Sequence, residues 1–529
     1  MPKSSIQPLS KGARAVVAAF RGRHQRRRRL FPSAVLVGLA AGGLSVLYRL
    51  AVEALEEVRT GRLEAAAGDG IGKILLAISV SAALAAFSVW LTRRFAPTAA
   101  GSGIPHLKAV LHRLRPLDPS RLVPVKFTAG LAALGAGFAL GREGPTVQMG
   151  GAIGRWISFF FPVSARERYL LIAAGAGAGL SAAFNAPLAG VVFVLEEVQH
   201  SFSPGALSTA FVACLTSDVV ARFALGQLPV FHTTALSDPP LAALPLFVCV
   251  GLAAGLLGVG FNRGLLGALA VFDRIPGRRR VLAAASVGAV VGAVGLWRPA
   301  LLGGGTHLVE TALEGTGTVG GALSMLLGRL GLTLASYATG APGGIFAPLL
   351  VLGSELGLAA GKAFQAWAPA FSAEPEAVVV VAMGALFAAT VRAPLTGIVL
   401  MLEMTQSYAL MLPLLVATYV AQTVADWMGD RPIYETLLER ELERGEAPEE
   451  EDSLLVELDL HAGAPWEGRR VVDLDLPAGC WIVSLERALD LKVVSGNTTL
   501  RAGDHLTLLL APARDEVLAQ VRKGTGTAH

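Results

Sequence analysis

Asn185-Ala-Pro-Leu-Ala-Gly-Val-Val-Phe-Val-Leu-Glu-Glu-Val-Gln199 returns 207 residues later as Arg392-Ala-Pro-Leu-Thr-Gly-Ile-Val-Leu-Met-Leu-Glu-Met-Thr-Gln406. Eight positions are identical, among them Pro187/Pro394, Gly190/Gly397, Glu196/Glu403 and Gln199/Gln406. A second match, 203 residues apart, sets Gly141, Pro145, Gly150 and Gly154 against Gly344, Pro348, Gly353 and Gly357. Two ordered matches at nearly one spacing read as an internal duplication, with halves at 34–225 and 241–430. Duplicated halves in membrane proteins commonly place a site at their interface, near the bilayer midplane. The spacing leaves open whether the halves are parallel or inverted.

The composition says what surrounds that duplication. Of the 529 residues 53% are hydrophobic and only 16% charged, against about 25% charged in a soluble domain. Mean hydropathy is +0.56. From Ser33 to Trp427 apolar segments follow one another, starting near Ser33, Ile74, Val123, Tyr169, Ala206, Leu241, Val281, Val319, Ala377 and Met411. At ~20 residues per crossing, this is a polytopic all-α membrane domain, expected over 34–440. The pieces near 145–160 and 344–360 read as too short or too Gly-rich for a full crossing. Helices that stop inside a membrane are tolerated where they line a cavity or pack on protein, so they point to a pathway.

Residues 1–33 hold the run Arg26–Arg29 and no acidic residue. Beside a membrane segment this reads as a cytoplasmic, topogenic charge run rather than a nucleic-acid surface, and it is not a cleavable signal. Both termini are expected in the cytoplasm. Cys214, Cys249 and Cys480 are too scattered for a disulfide framework or a metal pair. Residues 435–452 hold eight Glu and one Asp, a solvated helix end and then an acidic linker at 441–452. Beyond it Leu454–Leu460 and His505–Leu510 read as strands, with Gly503-Asp504 as a turn. They belong to a small soluble α+β domain at 453–523, followed by a tail at 524–529.

Three Gly-Pro motifs interrupt the apolar region: Gly101-Ser-Gly-Ile-Pro105, Gly141-Arg-Glu-Gly-Pro145 and Gly343-Gly-Ile-Phe-Ala-Pro348. Proline suits a helix's first turn, and glycine lets backbone approach a ligand. The free N–H groups and positive dipole end of each helix then face whatever lies at its start. Several such ends converging in a dry interior make an anion site without a full counter-charge. Glu143 is an ionisable group inside the membrane, a functional candidate for that reason. Arg142 beside it reads either as a source of positive potential or as a structural charge. Glu196 and Glu197 are adjacent on a helix and point about 100° apart, so they serve separate roles. Glu196 shares its place with Glu403, which suggests that both bond backbone at a helix end.

With these motifs intact, in order and in spacing, residues 34–440 resemble the CLC family of chloride channels and chloride/proton exchangers. The resemblance implies an inverted repeat of about eighteen membrane helices, including broken ones, in a homodimer with one pathway per subunit. It implies a prokaryotic inner-membrane protein. Chloride would be bound by the Ser102 hydroxyl, the Ile345 and Phe346 amides and the Tyr434 hydroxyl. Gly101, Gly103, Pro105, Gly144, Pro145, Gly344 and Pro348 would shape the site. Glu143 would be the gate and Glu197 the internal proton-transfer carboxylate, which the family's exchangers carry and its channels usually lack. Read without the family, Tyr434 is an interfacial belt residue. His106 and Lys108 stand where many members have acidic residues. Ser102 is the serine of chloride-selective members.

The C-terminal domain resembles the C-terminal subdomain of potassium-conductance regulators (RCK), through Trp481-Ile-Val-Ser-Leu-Glu-Arg487 and Arg501-Ala-Gly-Asp504. That implies dimerisation and a small ligand, with a cyclic dinucleotide as one candidate. A plain dimer-stabilising module is the alternative. No metal, cofactor or enzyme motif is expected. Thr318-Val-Gly-Gly321 lacks the rest of a potassium filter. Gly175-Ala-Gly-Ala-Gly179, inside an apolar helix, reads as tight helix packing. Chloride/proton exchange is therefore the leading expectation, with a passive chloride channel and a potassium-transport subunit as rivals.

Overall fold

A computed structural model describes residues 11–67, 70–227, 231, 238–277, 279–444, 454–487, 490–510 and 515–526, with the backbone alone at 11–29, 62–67, 444, 454–455, 490–493 and 515–516. The chain divides into a unit up to Glu446 and a second from Ala447.

The first unit is helical. Its first half holds α1 (Lys11–Ala67), α2 (Ile71–Phe95), α3 (Ile104–Leu111), α4 (Pro119–Gly135), α5 (Glu143–Ile157), α6 (Ala165–Phe184), α7 (Pro187–Phe193) and α8 (Pro204–Leu225). The second half repeats the order as α9 (Leu244–Asp273), α10 (Arg279–Trp297), α11 (Thr306–Leu313), α12 (Val319–Ala338), α13 (Phe346–Trp367), α14 (Pro375–Val391), α15 (Pro394–Thr405) and α16 (Met411–Trp427). Then follows α17 (Ile433–Arg444). Seven helices among the described residues are long and apolar enough to cross a membrane.

Local signals set many of these boundaries. The helices α6 and α14 each end on a left-handed residue, Asn185 (φ 50°) and Arg392 (φ 66°), and Ala-Pro then starts α7 and α15. The repeated glycines have a packing cause. A Cβ on Gly150 or Gly154 would strike the carbonyls of Gly175 and Leu171 on α6, and one on Gly353 or Gly357 would strike Met383 and Val379 on α14. Small residues thus let α5 lie against α6 and α13 against α14, which explains the Gly175–Gly179 run.

Two expectations change. The basic segment and the first apolar segment form one helix, α1, that runs through Pro32. The piece read as too short near 344–360 belongs to α13, 22 residues long. Lys362 and Gln365 dilute its apolar run, but no helix breaker follows until Pro369. Of the two pieces, α5 is the short one, at 15 residues. Of the acidic linker, residues 445–452 lie outside the described residues.

The second unit is a four-stranded antiparallel sheet in the order β1-β4-β2-β3, formed by β1 (Leu454–Asp459), β2 (Cys480–Arg487), β3 (Asp490–Val493) and β4 (His505–Leu510). The register sets Leu458 opposite Leu506 and Ile482 opposite Leu508. Along β4, Leu506, Leu508 and Leu510 are fully buried and alternate with half-exposed residues, the period of a one-sided sheet. The helix α18 (Asp515–Thr525) closes the domain, running past the expected end at 523, and Trp466 donates its amide to Gly524. Arg487 makes a two-point pair with Asp504, at 2.6 and 2.7 Å. Burial alone would raise the Asp504 pKa, but Arg487 and the Arg501 amide hold it below the usual carboxylate range. A hydrogen bond to Asp459 raises the His505 pKa.

Candidate functional site

The three Gly-Pro motifs meet. Gly141 and Gly344 exchange both backbone hydrogen bonds, at 2.8 and 2.7 Å, and the Gly343 amide donates to the Gly101 carbonyl at 3.0 Å. Gly141 and Gly344 are repeat equivalents, so their reciprocal pairing puts a local two-fold axis between the halves. Gly144 sits where backbones nearly touch: a Cβ there would lie 2.8 Å from the Gly344 Cα and 3.0 Å from the Ser102 Cα. Gly101 (φ 60°) and Gly103 (φ 80°) take left-handed conformations that L side chains avoid, and they turn the chain around Ser102 into α3.

This junction brings helix starts together. Gly103, Arg142 and Ile345 precede α3, α5 and α13, and none of these three N-cap residues caps its helix with its own side chain. Ser102 is 1% exposed, and Ile345, Phe346 and Tyr434 are fully buried. Tyr434 is therefore not a belt residue. Its ring stacks on Phe346 with centroids 6.3 Å apart, and its hydroxyl has no hydrogen-bond partner among the described residues. The Ser102 Oγ accepts from the Ile104 amide at 3.4 Å. Uncapped amides, hydroxyls and a low-dielectric setting suit an anion of small radius.

Cavities approach from two sides. One of about 530 Å3 reaches Gly101, Gly103 and Pro105 and is lined by Arg93, Arg115, Arg280 and Arg440, with Asp273 and Glu441. The other, about 40 Å3, reaches Arg142, Glu143 and Ala347. Glu143 is 3% exposed, and its Oε2 has no partner. That oxygen and the Ala347 amide both lie against Gly141 where a Cβ would be. Arg142 is paired with Glu53 of α1 at 3.0 Å, which offsets part of its charge.

The adjacent glutamates separate. A π turn, Val194–Val198, prolongs α7. From it Glu196 accepts the amides of Leu395 and Thr396, at 3.1 and 2.7 Å, and the Thr396 hydroxyl at 2.7 Å. Glu403 returns the arrangement to the amides of Leu188 and Ala189, at 3.0 and 2.7 Å. Each repeat caps a helix of the other. Glu197 instead turns inward to Lys108, Oε1 to Nζ 2.8 Å.

Several residues were not singled out from sequence. Tyr337 brings its hydroxyl to the Ser102 amide at 3.4 Å, and Gln148 fills the space that a Cβ on Gly103 would need. Lys126 on α4, fully buried, donates to the carbonyls of Ala99 and Gly101 at 2.9 and 2.7 Å. Arg329 on α12 does the same for Leu301 and Gly303, at 2.7 and 2.5 Å. These cations stand 203 residues apart, the spacing of the glycine match, and that spacing was the available signal. Among the described residues no group of three or more His, Cys, Asp or Glu could hold a metal ion.

The sequence matches the family model for the voltage gated chloride channel over residues 82–426 and the TrkA-C domain over 455–520. It is 42% identical to the H(+)/Cl(-) exchange transporter ClcA of Citrobacter koseri over 421 residues, covering 78% of this chain and 89% of that protein. Identity to the transporter of the same name from Cronobacter sakazakii is 43% over 420 residues, 78% of this chain and 90% of that one. The crystal structure of a slow cyanobacterial Cl-/H+ antiporter superposes with a TM-score of 0.76 at 38% identity, covering 79% of this chain and 98% of the other.

Proposed function

Because the chain belongs to the voltage gated chloride channel family, we propose that it is a secondary active transporter exchanging chloride for protons, working as a homodimer in a prokaryotic inner membrane. The relatives named above as exchangers support the exchange. The observation that carries the reading is the place of Glu143: a buried carboxylate with an unpartnered oxygen, at an uncapped helix start, against the site formed by Ser102, Ile345, Phe346 and Tyr434.

Chloride comes from the wide cavity and is held by the amides of Ile345 and Phe346 and the hydroxyls of Ser102 and Tyr434. An ionised Glu143 offers its own negative charge to the same helix ends, so carboxylate and chloride compete. Protonation neutralises Glu143 and frees the position. The proton it takes has crossed from Glu197, so one carboxylate links the two fluxes. A passive channel would need no buried Glu197, and a potassium subunit would not gather three helix N-termini.

The test is paired recording of chloride efflux and external pH from liposomes. Wild type should take up protons against their gradient, driven by chloride. Glu143→Gln should move chloride without pH dependence and without protons. Glu197→Gln should lose proton movement while chloride flux continues. Chloride flux without protons in wild type contradicts exchange, and no chloride flux at all contradicts the family function. For the C-terminal domain we propose a cyclic dinucleotide as ligand, checked by a concentration-dependent rise in its melting temperature; no shift leaves dimer stabilisation as its role.

A further inference from the structure

Glu197 does not stand alone. The Lys108 Nζ lies 2.8 Å from its Oε1, and the two side chains are 2% and 3% exposed. The same Nζ lies 3.1 Å from the Nε2 of His200. His200 is 46% exposed and stands 4.0 Å from the half-exposed Glu435 of α17. Three groups from two stretches of chain, Lys108 on α3 and Glu197 and His200 around the π turn, therefore step from the interior to the surface at hydrogen-bond spacing. The backbone holds them there at a cost. His200 has φ 46°, a left-handed conformation that L side chains seldom adopt. It stands two residues past the π turn, between Gln199 and Ser201, which donate their amides to Val194 and Leu195.

We propose that Lys108 and His200 form, with Glu197, a proton line in which His200 takes the proton from water and Lys108 hands it to Glu197. The inference deepens the exchange reading and rests on it. Two buried ions each carry a desolvation penalty. Shifting one proton across the Lys108–Glu197 bond turns ammonium and carboxylate into amine and carboxylic acid, so both penalties vanish together. The protons balance: ammonium gives H+ to Glu197 Oε1, imidazolium gives its Nε2 proton to the Lys108 amine, and water supplies His200. The neutral acid then passes its proton inward and returns as carboxylate. Glu435, Glu196 and His112 are the other charged or titratable groups facing this line.

The alternative is a fixed counter-charge that only holds Glu197 in place, and arginine separates the two. Arginine keeps the charge but does not give up its proton, its pKa being above about 12. The experiment is paired chloride and proton flux from liposomes for the full-length wild type, Lys108→Arg, Lys108→Met and His200→Ala. Both Lys108 variants should lose at least about tenfold in proton flux, a modest part of what a positioned acid–base group contributes, with chloride flux retained. His200→Ala should slow proton flux, and imidazole added to the medium should restore it. Wild-type coupling in Lys108→Arg overturns the relay. Should that variant fail to assemble, the half-exposed His200 decides: rescue by imidazole supports the line, and undiminished proton flux in His200→Ala overturns it. A coupled wild type keeps these outcomes distinct, because an uncoupled wild type contradicts the exchange reading itself.

Discussion

The helices α7 and α15 begin under carboxylates sent across from the opposite repeat, whereas among the described residues no such cross-repeat carboxylate bonds the first amides of α5 and α13, although both pairs come from one duplication. The capped pair has its first amides satisfied, and it acts as glue between the halves. The open pair has no such partner from the other repeat, and the carboxylate beside its amides is its own, Glu143, which lies against the Ala347 amide of α13. A helix start thus becomes a joint or a binding site according to whether a partner side chain reaches it.

Two sets of changes probe that contrast and a third tests the C-terminal sheet, taken from the largest expected effect downward. Gly144→Ala puts a methyl group into the open junction, where the atoms it would meet, the Gly344 Cα and the Ser102 Cα and carbonyl, are backbone and cannot swing aside. Chloride flux should fall at least about tenfold, equivalent to ~1.4 kcal/mol. Gly331→Ala, with nothing within 4 Å of its Cβ, is the control and should behave as wild type. Normal flux in Gly144→Ala would mean that the junction is looser than described.

At the capped starts, Glu403→Ala leaves two amides without their acceptor. The expected loss is about 1–3 kcal/mol, read as a lower melting temperature in detergent, with the proton-to-chloride ratio of the surviving flux unchanged. Glu196→Ala should do the same from the other side. A changed ratio would show that these carboxylates belong to the transport path, and the contrast would fail.

The smallest effect concerns the C-terminal sheet, where charge pairs stabilise a soluble fold instead of guiding ions. The folded pKa of Asp504 lies below its unfolded value, so the Arg487 pair stabilises above about pH 4 and fades as pH falls through the folded value. The folded pKa of His505 is raised, so its contribution is complete below about pH 6.5 and fades as pH rises through the folded value. Melting of this domain, followed by Trp466 and Trp481 fluorescence, should peak between these limits. Arg487→Met should flatten the acid side and Asp459→Asn the alkaline side. Unaltered profiles would remove both pairs from the domain's stability.

Much of the architecture was legible because its signals are local or repeated. Gly-Pro motifs mark helix starts, Asn185 and Arg392 mark matching helix ends, and one duplication sets their order. The joint made by Glu196 and Glu403 could be suspected because both halves kept the glutamate. Legibility failed where pairing spans distant chain. Nothing near Lys108 announces Glu197, 89 residues away, and nothing near Tyr337 announces Ser102. The fully buried Tyr434 read as a membrane-surface residue because its local context, Arg431-Pro-Ile-Tyr434, is polar on both flanks. Lys126 and Arg329 could have been caught as lone cations in apolar helices, since the repeat spacing ties them together.

The central claim is that the open helix starts hold the transported anion. Bromide, a heavier substitute for chloride, scatters anomalously and locates itself in a crystal. Diffraction at the bromine edge should place an ion between the Ser102 and Tyr434 hydroxyls and the amides of Ile345 and Phe346, and Tyr434→Ala together with Ser102→Ala should weaken that peak. A peak only at the capped starts of α7 and α15, or none at the three motifs, would contradict the account.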